Sequence, residues 1–239
     1  MTIDNLQPQH STSQRLAIEP LLIIIGGLLI GDYPLRGVIA HFPHSRFIDI
    51  NNKNYDQIKS SLLVLVADSQ RPGILIGYSC GGLIILKLLS EVALNVDKII
   101  LVNSTPYFLE DKHWHGIKRQ DFEKLNSRLI KQSFTNFCSY FHQLCFYPES
   151  IPKSTINTPL ATKAMTQYWL DFLYCYDLRS VLTKIIHPTL LLYSKLDVLS
   201  QINHFDDNPQ LRVRILKDST HGNPNQIKLL YHITEFLNA

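Results

Sequence analysis

The sequence predicts an α/β fold in which a mostly parallel sheet carries helices on both faces and a helical lid is inserted after the fourth strand. Short apolar runs rich in β-branched residues alternate with helical segments, a pattern typical of parallel sheets covered on both faces. The alternation stops once, between about Thr105 and Asp177, for a stretch too long to be an ordinary connection. The length of 239 residues corresponds to roughly 1.6 average domains, which one α/β domain with an insertion satisfies, as do two small domains.

Six strands are predicted, each around short apolar or β-branched residues. They are Leu21–Ile25, Arg46–Ile50, Gly73–Tyr78, Lys98–Asn103, Thr189–Tyr193 and Leu211–Leu216. Residues 54–69 have apolar positions suited to a helix, and Leu83–Leu89 is apolar nearly all round, which predicts a central helix buried against the sheet. Apolar residues recur at helical spacing over 227–237, after a helix-entry signal at Pro224.

The long insertion is predicted to be a helical lid. Its apolar residues step by three and four positions and include many aromatic rings, which indicates helices with one aromatic-rich face. These residues are Phe122, Leu125, Leu129, Ile130, Phe134, Phe137, Phe141 and Leu144. The same spacing also fits a purely local core, and both interpretations stay open. The predicted domain limits are residues 1–105 and 178–239 for the core and 106–177 for the lid.

Charge is distributed unevenly along the chain. The formal net charge is +3, from 23 basic and 20 acidic residues, which is too small and too mixed to indicate nucleic-acid binding. Residues 112–163 contain eight basic and three acidic residues, a local charge of +5. The basic ones are Lys112, Lys118, Arg119, Lys124, Arg128, Lys131, Lys153 and Lys163. Such a lid favours an acidic partner through salt-sensitive steering, and an ordinary solvated helix face explains the charge equally well.

Composition, apolar runs and cysteine spacing together predict where the protein is located. With 45% apolar and 18% charged residues, it is typical of globular proteins. The apolar run Leu21–Ile30 has ten residues, half of the ~20 that a membrane span needs, and the first fourteen residues lack the Lys or Arg of a signal peptide. The four cysteines show no CxxC pair and no zinc-like spacing, which predicts reduced thiols in a cytoplasmic protein. They are Cys80, Cys138, Cys145 and Cys175.

The strongest motif is Gly77–Gly81, whose sequence GYSCG fits the pattern GxSxG. It stands at the end of a predicted strand and at the start of the apolar helix, which is the context that a nucleophilic serine requires. A strand-to-helix reversal this tight holds Ser79 in a strained conformation and presents its hydroxyl at the carboxyl edge of the sheet. The backbone N–H of Cys80, at the helix N-terminus, would face an oxyanion.

A serine hydroxyl needs a base to take its proton, and the base needs a third group to hold its tautomer. His221 is the only histidine between the last predicted strand and the final helix, and Asp197 follows the strand before it. The chain order Ser79, Asp197, His221 is the order found with this motif. Asp218 is the main alternative acid, but it lies on the same short loop as His221.

Other polar residues receive weaker assignments. Asp206 and Asp207 lie in a connection and are expected to be solvated or capping residues, and Asp177 to be structural. The loop after the first strand offers a second oxyanion donor, the N–H of Gly27, although its glycines also fit a simple turn. The segment 113–115 has two histidines at a spacing poor for one helix face, without a completing Cys or carboxylate set, so no metal and no cofactor are expected.

These motifs resemble the α/β-hydrolase superfamily. Two further segments resemble the BioH-type pimeloyl-acyl-carrier-protein methyl ester esterases of biotin synthesis. They are Asp177-Leu178-Arg179 followed by the strand and loop Leu191–Asp197, and Trp114–Lys118 at the opening of the lid. The likeness is clearest over residues 73–131 and 177–200. It departs from the family at Ile25-Gly26, where a His-Gly pair is usual, and at Gly222, where bulkier residues are common.

The resemblance implies hydrolysis of the methyl ester on a pimeloyl chain that acyl carrier protein holds as a thioester. Ser79 would be the nucleophile, His221 the base and Asp197 its orienting acid, with the Gly27 and Cys80 amides at the oxyanion. The acyl channel would be lined by Tyr140, Phe141, His142, Gln143 and Leu144. The basic lid would dock the acidic carrier, with Arg128 and Lys131 as candidates.

Two alternatives remain open on the sequence. One is a general short-chain carboxylesterase or thioesterase that needs no carrier partner. The other is a non-catalytic relative of the hydrolases that only binds a ligand or a protein. In each case we expect a monomer that binds neither nucleic acid nor membrane.

Overall fold

The computed structural model of the protein describes residues 20–67, 72–152, 161–203 and 208–239. A six-stranded sheet lies at its centre, in the order β2-β1-β3-β4-β5-β6, and every neighbouring pair is parallel. The strands are β1 (Leu21–Ile25), β2 (Arg46–Ile48), β3 (Gly73–Tyr78), β4 (Val96–Val102), β5 (Thr189–Ser194) and β6 (Leu211–Leu216). The predicted sheet is confirmed.

Eight α-helices lie within the described ranges. They are α1 (Arg36–His41), α2 (Tyr55–Ala67), α3 (Cys80–Glu91), α4 (Arg119–Lys131), α5 (Phe134–Phe146), α6 (Lys163–Cys175), α7 (Arg179–Thr183) and α8 (Gln226–Asn238). Among the described residues, no helix is both long and apolar enough to cross a bilayer.

Continuous apolar strands form the middle of the sheet because both of its faces are covered. All six residues of β3 and all six of β5 are buried, whereas in the edge strand β6 only the last residue, Leu216, is buried. Helix α3 is buried on most of its circumference, as its uniformly apolar sequence predicts. In a parallel sheet all carboxyl ends meet at one edge, so the loops after β1, β3, β4, β5 and β6 gather there.

Three predicted strands have different limits in the structure, and one of them, β5, extends by a single residue to Ser194. Strand β2 ends at Ile48 instead of Ile50, because the side chain of Asp49 accepts hydrogen bonds from the backbone and side-chain nitrogens of Asn51 and bends the chain. Strand β4 runs from Val96 to Val102, so Asn103 lies outside it with a positive φ of 45°.

The insertion between β4 and β5 contains helices α4, α5 and α6, and α4 packs against both of the others. Its apolar residues are buried at Phe122, Leu125 and Leu129, but Ile130 is 61% exposed, so its assignment to the apolar face is wrong. The helical stripe does not continue through Ile130, because α4 ends at Lys131 and α5 starts a new helical register. Residues 153–160, with the basic Lys153, lie outside the described residues, as do residues 1–19 of the predicted core.

Candidate active site

Ser79 occupies a sharp turn between β3 and α3. Its backbone has φ 53° and ψ −121°, a conformation that non-glycine residues adopt at a cost of about 1–3 kcal/mol. Close packing makes glycines necessary around it: a Cβ on Gly77 would lie 2.5 Å from the Cα of Gly82, and one on Gly81 would lie 2.3 Å from the carbonyl oxygen of Ile25. The motif GxSxG therefore matches the local geometry residue by residue.

A continuous series of hydrogen bonds links three side chains that are distant in sequence. His221 Nε2 lies 2.9 Å from Ser79 Oγ, and His221 Nδ1 lies 2.7 Å from Asp197 Oδ2. Because an ionised carboxylate only accepts hydrogen bonds, Nδ1 carries the proton that it donates to Asp197. The lone pair of Nε2 is then free to accept the hydrogen bond of the Ser79 hydroxyl.

The Asp197 carboxylate is fixed by partners on both of its oxygens. Oδ1 accepts the backbone N–H groups of Leu199 at 2.7 Å and Ser200 at 2.9 Å, which leaves Oδ2 for His221. Asp197 is 8% exposed and His221 only 2%. With little water nearby, their electrostatic interaction is stronger than it would be at the surface.

A second group of residues holds the His221 loop in place. The Asn103 side chain donates to the carbonyl oxygen of His221 at 3.0 Å and accepts the backbone N–H of Ser194 at 2.7 Å, so it ties the loop after β6 to the end of β5. The hydroxyl of Tyr78 also donates to the His221 carbonyl. Burial raises the pKa of Tyr78 well above its usual range, so the hydroxyl stays protonated and can donate this hydrogen bond.

Sequence reasoning missed Asn103 and Tyr78. The available signal for Asn103 was a polar residue directly after a buried strand, at the edge where the other predicted site residues gather. Tyr78 had no such signal, because a buried tyrosine in an apolar strand is also typical of an ordinary core.

The two predicted oxyanion donors both lie beside Ser79. A Cβ on Gly27 would lie 2.7 Å from the ring of Tyr78 and 3.1 Å from the Cβ of Ser79, so the Gly27 backbone packs against the turn. Cys80 is the first residue of α3, where backbone N–H groups have no partner within the helix. Burial raises the pKa of the Cys80 thiol far above its usual range, so this residue can offer its amide but not a thiolate.

Helix α5 packs directly on the His221 loop. The backbone N–H of Gly222 donates to the carbonyl oxygen of Cys145 at 2.6 Å. A Cβ on Gly222 would lie 2.8 Å from the ring of Phe146, which is fully buried. The large ring of Phe146 thus accounts for glycine at a position where bulkier residues are usual.

The five predicted acyl-channel residues do not share one face of α5. Phe141 and His142 are buried, Tyr140 and Leu144 are half-buried, and Gln143 is exposed. Successive helical residues are about 100° apart, so five in a row necessarily point in all directions. Gln143 lines an open surface depression with Tyr147, and the assignment of these five residues to an acyl channel stays a prediction.

The two carrier-docking candidates lie in the last turn of α4. Arg128 and Lys131 are both exposed. The guanidinium of Arg128 stacks over the ring of Tyr140 with its carbon 4.2 Å from the ring centroid, so it links α4 to α5 at the surface.

The two segments that carried the sequence resemblance meet around one side chain. Arg179 pairs with Asp177 and with Asp111, each at 2.6 Å, and its guanidinium lies over the rings of Tyr107 and Trp114. Backbone bridges join Tyr107 to Asp177 and Asp111 to Trp114. We call these five residues the Arg179 clasp. The clasp holds the start and the end of the insertion together.

The alternative acids have different positions. Asp218 is exposed, and Asp206 and Asp207 lie outside the described residues. Asp177 belongs to the Arg179 clasp. Within the described ranges, no group of three His, Cys, Asp or Glu side chains is arranged to hold a metal ion.

The parallel sheet, its strand order and the sharp turn after β3 define an α/β-hydrolase fold. Solved structures agree: an esterase from Exiguobacterium antarcticum superposes with a TM-score of 0.76 at 19% identity, covering 92% of each chain. A bromoperoxidase from Bacillus anthracis also gives 0.76, at 17% identity, over 92% of this chain and 93% of its own. The predicted fold class is thus confirmed.

Curated sequences are similar over a shorter region. A pimeloyl-[acyl-carrier protein] methyl ester esterase of Wigglesworthia glossinidia brevipalpis is 30% identical over 144 residues, which are 57% of this chain and 55% of the relative. The Vibrio parahaemolyticus protein of the same name is 26% identical over 154 residues, 62% of this chain and 60% of its own. The chain thus spans between half and two thirds of these relatives, and the resemblance predicted from the sequence is confirmed. No protein-family model matches the chain.

Proposed function

We propose that the protein is a serine carboxylesterase that hydrolyses the methyl ester of a pimeloyl chain carried by acyl carrier protein. The observation that carries this proposal is the hydrogen-bonded series from Ser79 through His221 to Asp197. A hydroxyl, an imidazole in the accepting tautomer and an orienting carboxylate are the groups that acyl transfer requires. We further propose that the enzyme acts in the cytoplasm as a monomer and needs no cofactor.

The proposed reaction has two stages. Ser79 Oγ attacks the ester carbonyl while His221 Nε2 takes its proton, and the negative oxygen that forms accepts the N–H groups of Gly27 and Cys80. His221 then returns the proton to the departing methoxide, so that methanol leaves and an acyl-enzyme remains. Water, deprotonated by His221, hydrolyses the acyl-enzyme and releases the free carboxylate.

The choice of substrate rests on the relatives and on charge. The similar curated proteins bear the name of esterases of pimeloyl-[acyl-carrier protein] methyl ester. The excess of basic residues over 112–163 supports an acidic carrier as the partner. The exposed Arg128 and Lys131 are candidates for contact with it.

Labelling by a fluorophosphonate tests the nucleophile. We expect the wild-type protein to be labelled at one serine and the Ser79→Ala variant to remain unlabelled. Labelling that is absent, or that persists in Ser79→Ala, would favour a non-catalytic binding protein.

Kinetics with two substrates test the carrier. We expect kcat/KM to be much higher for the carrier-bound methyl ester than for free dimethyl pimelate. Charge reversal in Arg128→Glu and Lys131→Glu should raise KM for the carrier-bound ester alone. The factor by which KM rises should shrink as salt is added, because salt screens the charges. Equal efficiency on both esters would instead identify a general short-chain esterase. Complementation of a biotin auxotroph that lacks its methyl ester esterase tests the same substrate in cells.

A further inference from the structure

From the geometry we infer that His142 is a positioning residue for the oxyanion loop, which we define as residues Gly27–Gly31. His142 lies on α5, in the insertion, and its ring holds the carbonyl group of Leu29 in this loop. Helix α5 would therefore also set the position of the Gly27 amide. The catalytic consequence of this inference rests on the proposed function.

The oxyanion loop has a conformation that needs support. Leu29, at its centre, has a positive φ of 59°, which is unfavourable for a residue with a side chain. The loop closes through an antiparallel bridge between Gly27 and Gly31. Leu29 is only 7% exposed, so water does not readily satisfy its backbone groups.

Two side chains from different elements hold the backbone of Leu29. Its N–H donates to Asn51 Oδ1 at 2.8 Å, and Asn51 is itself held by Asp49 at 2.7 Å. Its carbonyl oxygen lies 2.7 Å from His142 Nε2. Ile25, directly before the glycines, offers only an apolar side chain. Ile25 therefore cannot donate a side-chain hydrogen bond to this loop, and the bond to the Leu29 carbonyl comes from α5 instead.

The tautomer of His142 follows from its partner. A carbonyl oxygen can only accept, so Nε2 carries the proton and Nδ1 carries a lone pair. Nδ1 is buried and has no hydrogen-bond partner among the described residues. Burial lowers the pKa of His142, which is 7% exposed, and favours the neutral ring that this arrangement needs.

The same helix is anchored to the base. Cys145, one turn after His142, accepts the backbone N–H of Gly222, and the Asn223 side chain donates to Glu149 just beyond the helix end. Helix α5 thus contacts the loop that carries His221 and the loop that carries Gly27. Both loops lie beside Ser79, so loss of the His142 bond would let the loop of Gly27 move relative to the loop of His221.

Three variants test the inference. His142→Leu removes the donor, and His142→Gln retains an N–H near the position of Nε2. His44→Leu is a matched control, because His44 is an exposed histidine outside the site. We expect His142→Leu to lower kcat by about 10- to 100-fold with little change in KM, which is part of the loss seen when one oxyanion donor is removed.

Two further measurements separate positioning from loss of stability. The affinity for a boronic acid that mimics the tetrahedral intermediate should fall in parallel with kcat/KM across the variants. His142→Gln should recover most of both losses, and His44→Leu should match wild type. A His142→Leu enzyme with unchanged kcat, or one whose loss appears in KM alone, would overturn the inference.

Hydrogen exchange tests the support of the loop without any activity. We expect the amides of Leu28–Gly31 to exchange faster in His142→Leu than in wild type and to regain protection in His142→Gln. Unchanged exchange would refute the role of His142 even in an active enzyme. Absence of fluorophosphonate labelling in the wild-type protein would instead refute the proposed function, so the two failures are distinguishable.

Discussion

At the residue scale, the arrangement around Asp197 makes the direction of each hydrogen bond unambiguous. One carboxylate oxygen accepts hydrogen bonds from two backbone N–H groups, and the other accepts a hydrogen bond from Nδ1–H of His221. Rotation of the imidazole ring would break its hydrogen bonds to Asp197 and Ser79. Because His221 is nearly completely buried, water could not readily replace them. The tautomer needed for a general base is therefore set by the carboxylate alone.

Asp197→Asn should isolate this effect. The amide oxygen can keep the backbone contacts of Leu199 and Ser200, but the amide NH₂ would then face His221 Nδ1 and favour the wrong tautomer. We expect kcat for ester hydrolysis to fall by about 10⁴-fold with little change in thermal unfolding. Retention of more than a tenth of the activity would argue against this role of Asp197.

Gly222→Ala should reveal the tight contact with α5. The new methyl group would lie 2.8 Å from the Phe146 ring. We expect the variant to lose about 1–3 kcal/mol of unfolding free energy, measured by urea denaturation. The same substitution should cost less in a Phe146→Leu background, because the smaller side chain gives room. Additive losses would show that the ring is not the obstacle.

The residues of the site differ in how well sequence reasoning can find them. Ser79, Asp197 and His221 each follow a strand, so strand order alone predicts that they meet at one edge. The contact between His142 and Leu29 joins residues 113 positions apart on elements whose packing no local pattern describes. The same is true of Asn103, whose side-chain partners come from the end of β5 and from the His221 loop.

At the scale of elements, the inner strands were predictable because burial on both faces makes them largely apolar. Their ends were less predictable, since side-chain contacts such as those of Asp49 decide where pairing stops. The apolar spacing in the insertion indicated helices, but it could not show the break between α4 and α5. Ile130 falls at that break and faces solvent.

The Arg179 clasp is the element-scale feature most open to a mutational test. We expect Arg179→Leu to lower the unfolding free energy by about 1–2 kcal/mol, because the change removes two ion pairs and two ring contacts at once. Limited proteolysis should also cut residues 106–177 sooner. Arg36→Leu is a control, since Arg36 makes one exposed ion pair, with Asp32, and one ring contact, with Tyr33, which is half the number that Arg179 makes. Equal effects of the two variants would contradict a special role for the clasp.

At the scale of the whole molecule, acid sensitivity should depend on a charged cluster between α2 and α3. Hydrogen bonds from Lys59, Lys87 and Tyr55 lower the pKa of Glu91 to about 2. A carboxyl group whose pKa is lowered by folding stabilises the protein above its unfolded value of 4.5. This contribution is lost as the pH falls from there through the folded pKa.

Glu91→Gln should therefore flatten the acid side of the stability curve. We expect wild type to exceed the variant in unfolding free energy above about pH 5 and the difference to shrink towards pH 2. Urea denaturation over a pH series measures this directly. A difference that stays constant over this range would show that the ionisation of Glu91 is not coupled to folding.

The Arg179 clasp also bears on how the insertion could be replaced. The N–H of Leu178 donates to the carbonyl oxygen of Pro106 at 2.8 Å, and Tyr107 forms a backbone bridge with Asp177. The chain therefore leaves the core and returns to it at two adjacent points. An insertion joined to the core in this way can be replaced by another without any change in the connections between the strands. An insertion grafted between these two points would have to reproduce the contacts of His142 with Leu29 and of Cys145 with Gly222, because the loops on which Ser79 depends would otherwise lose their support.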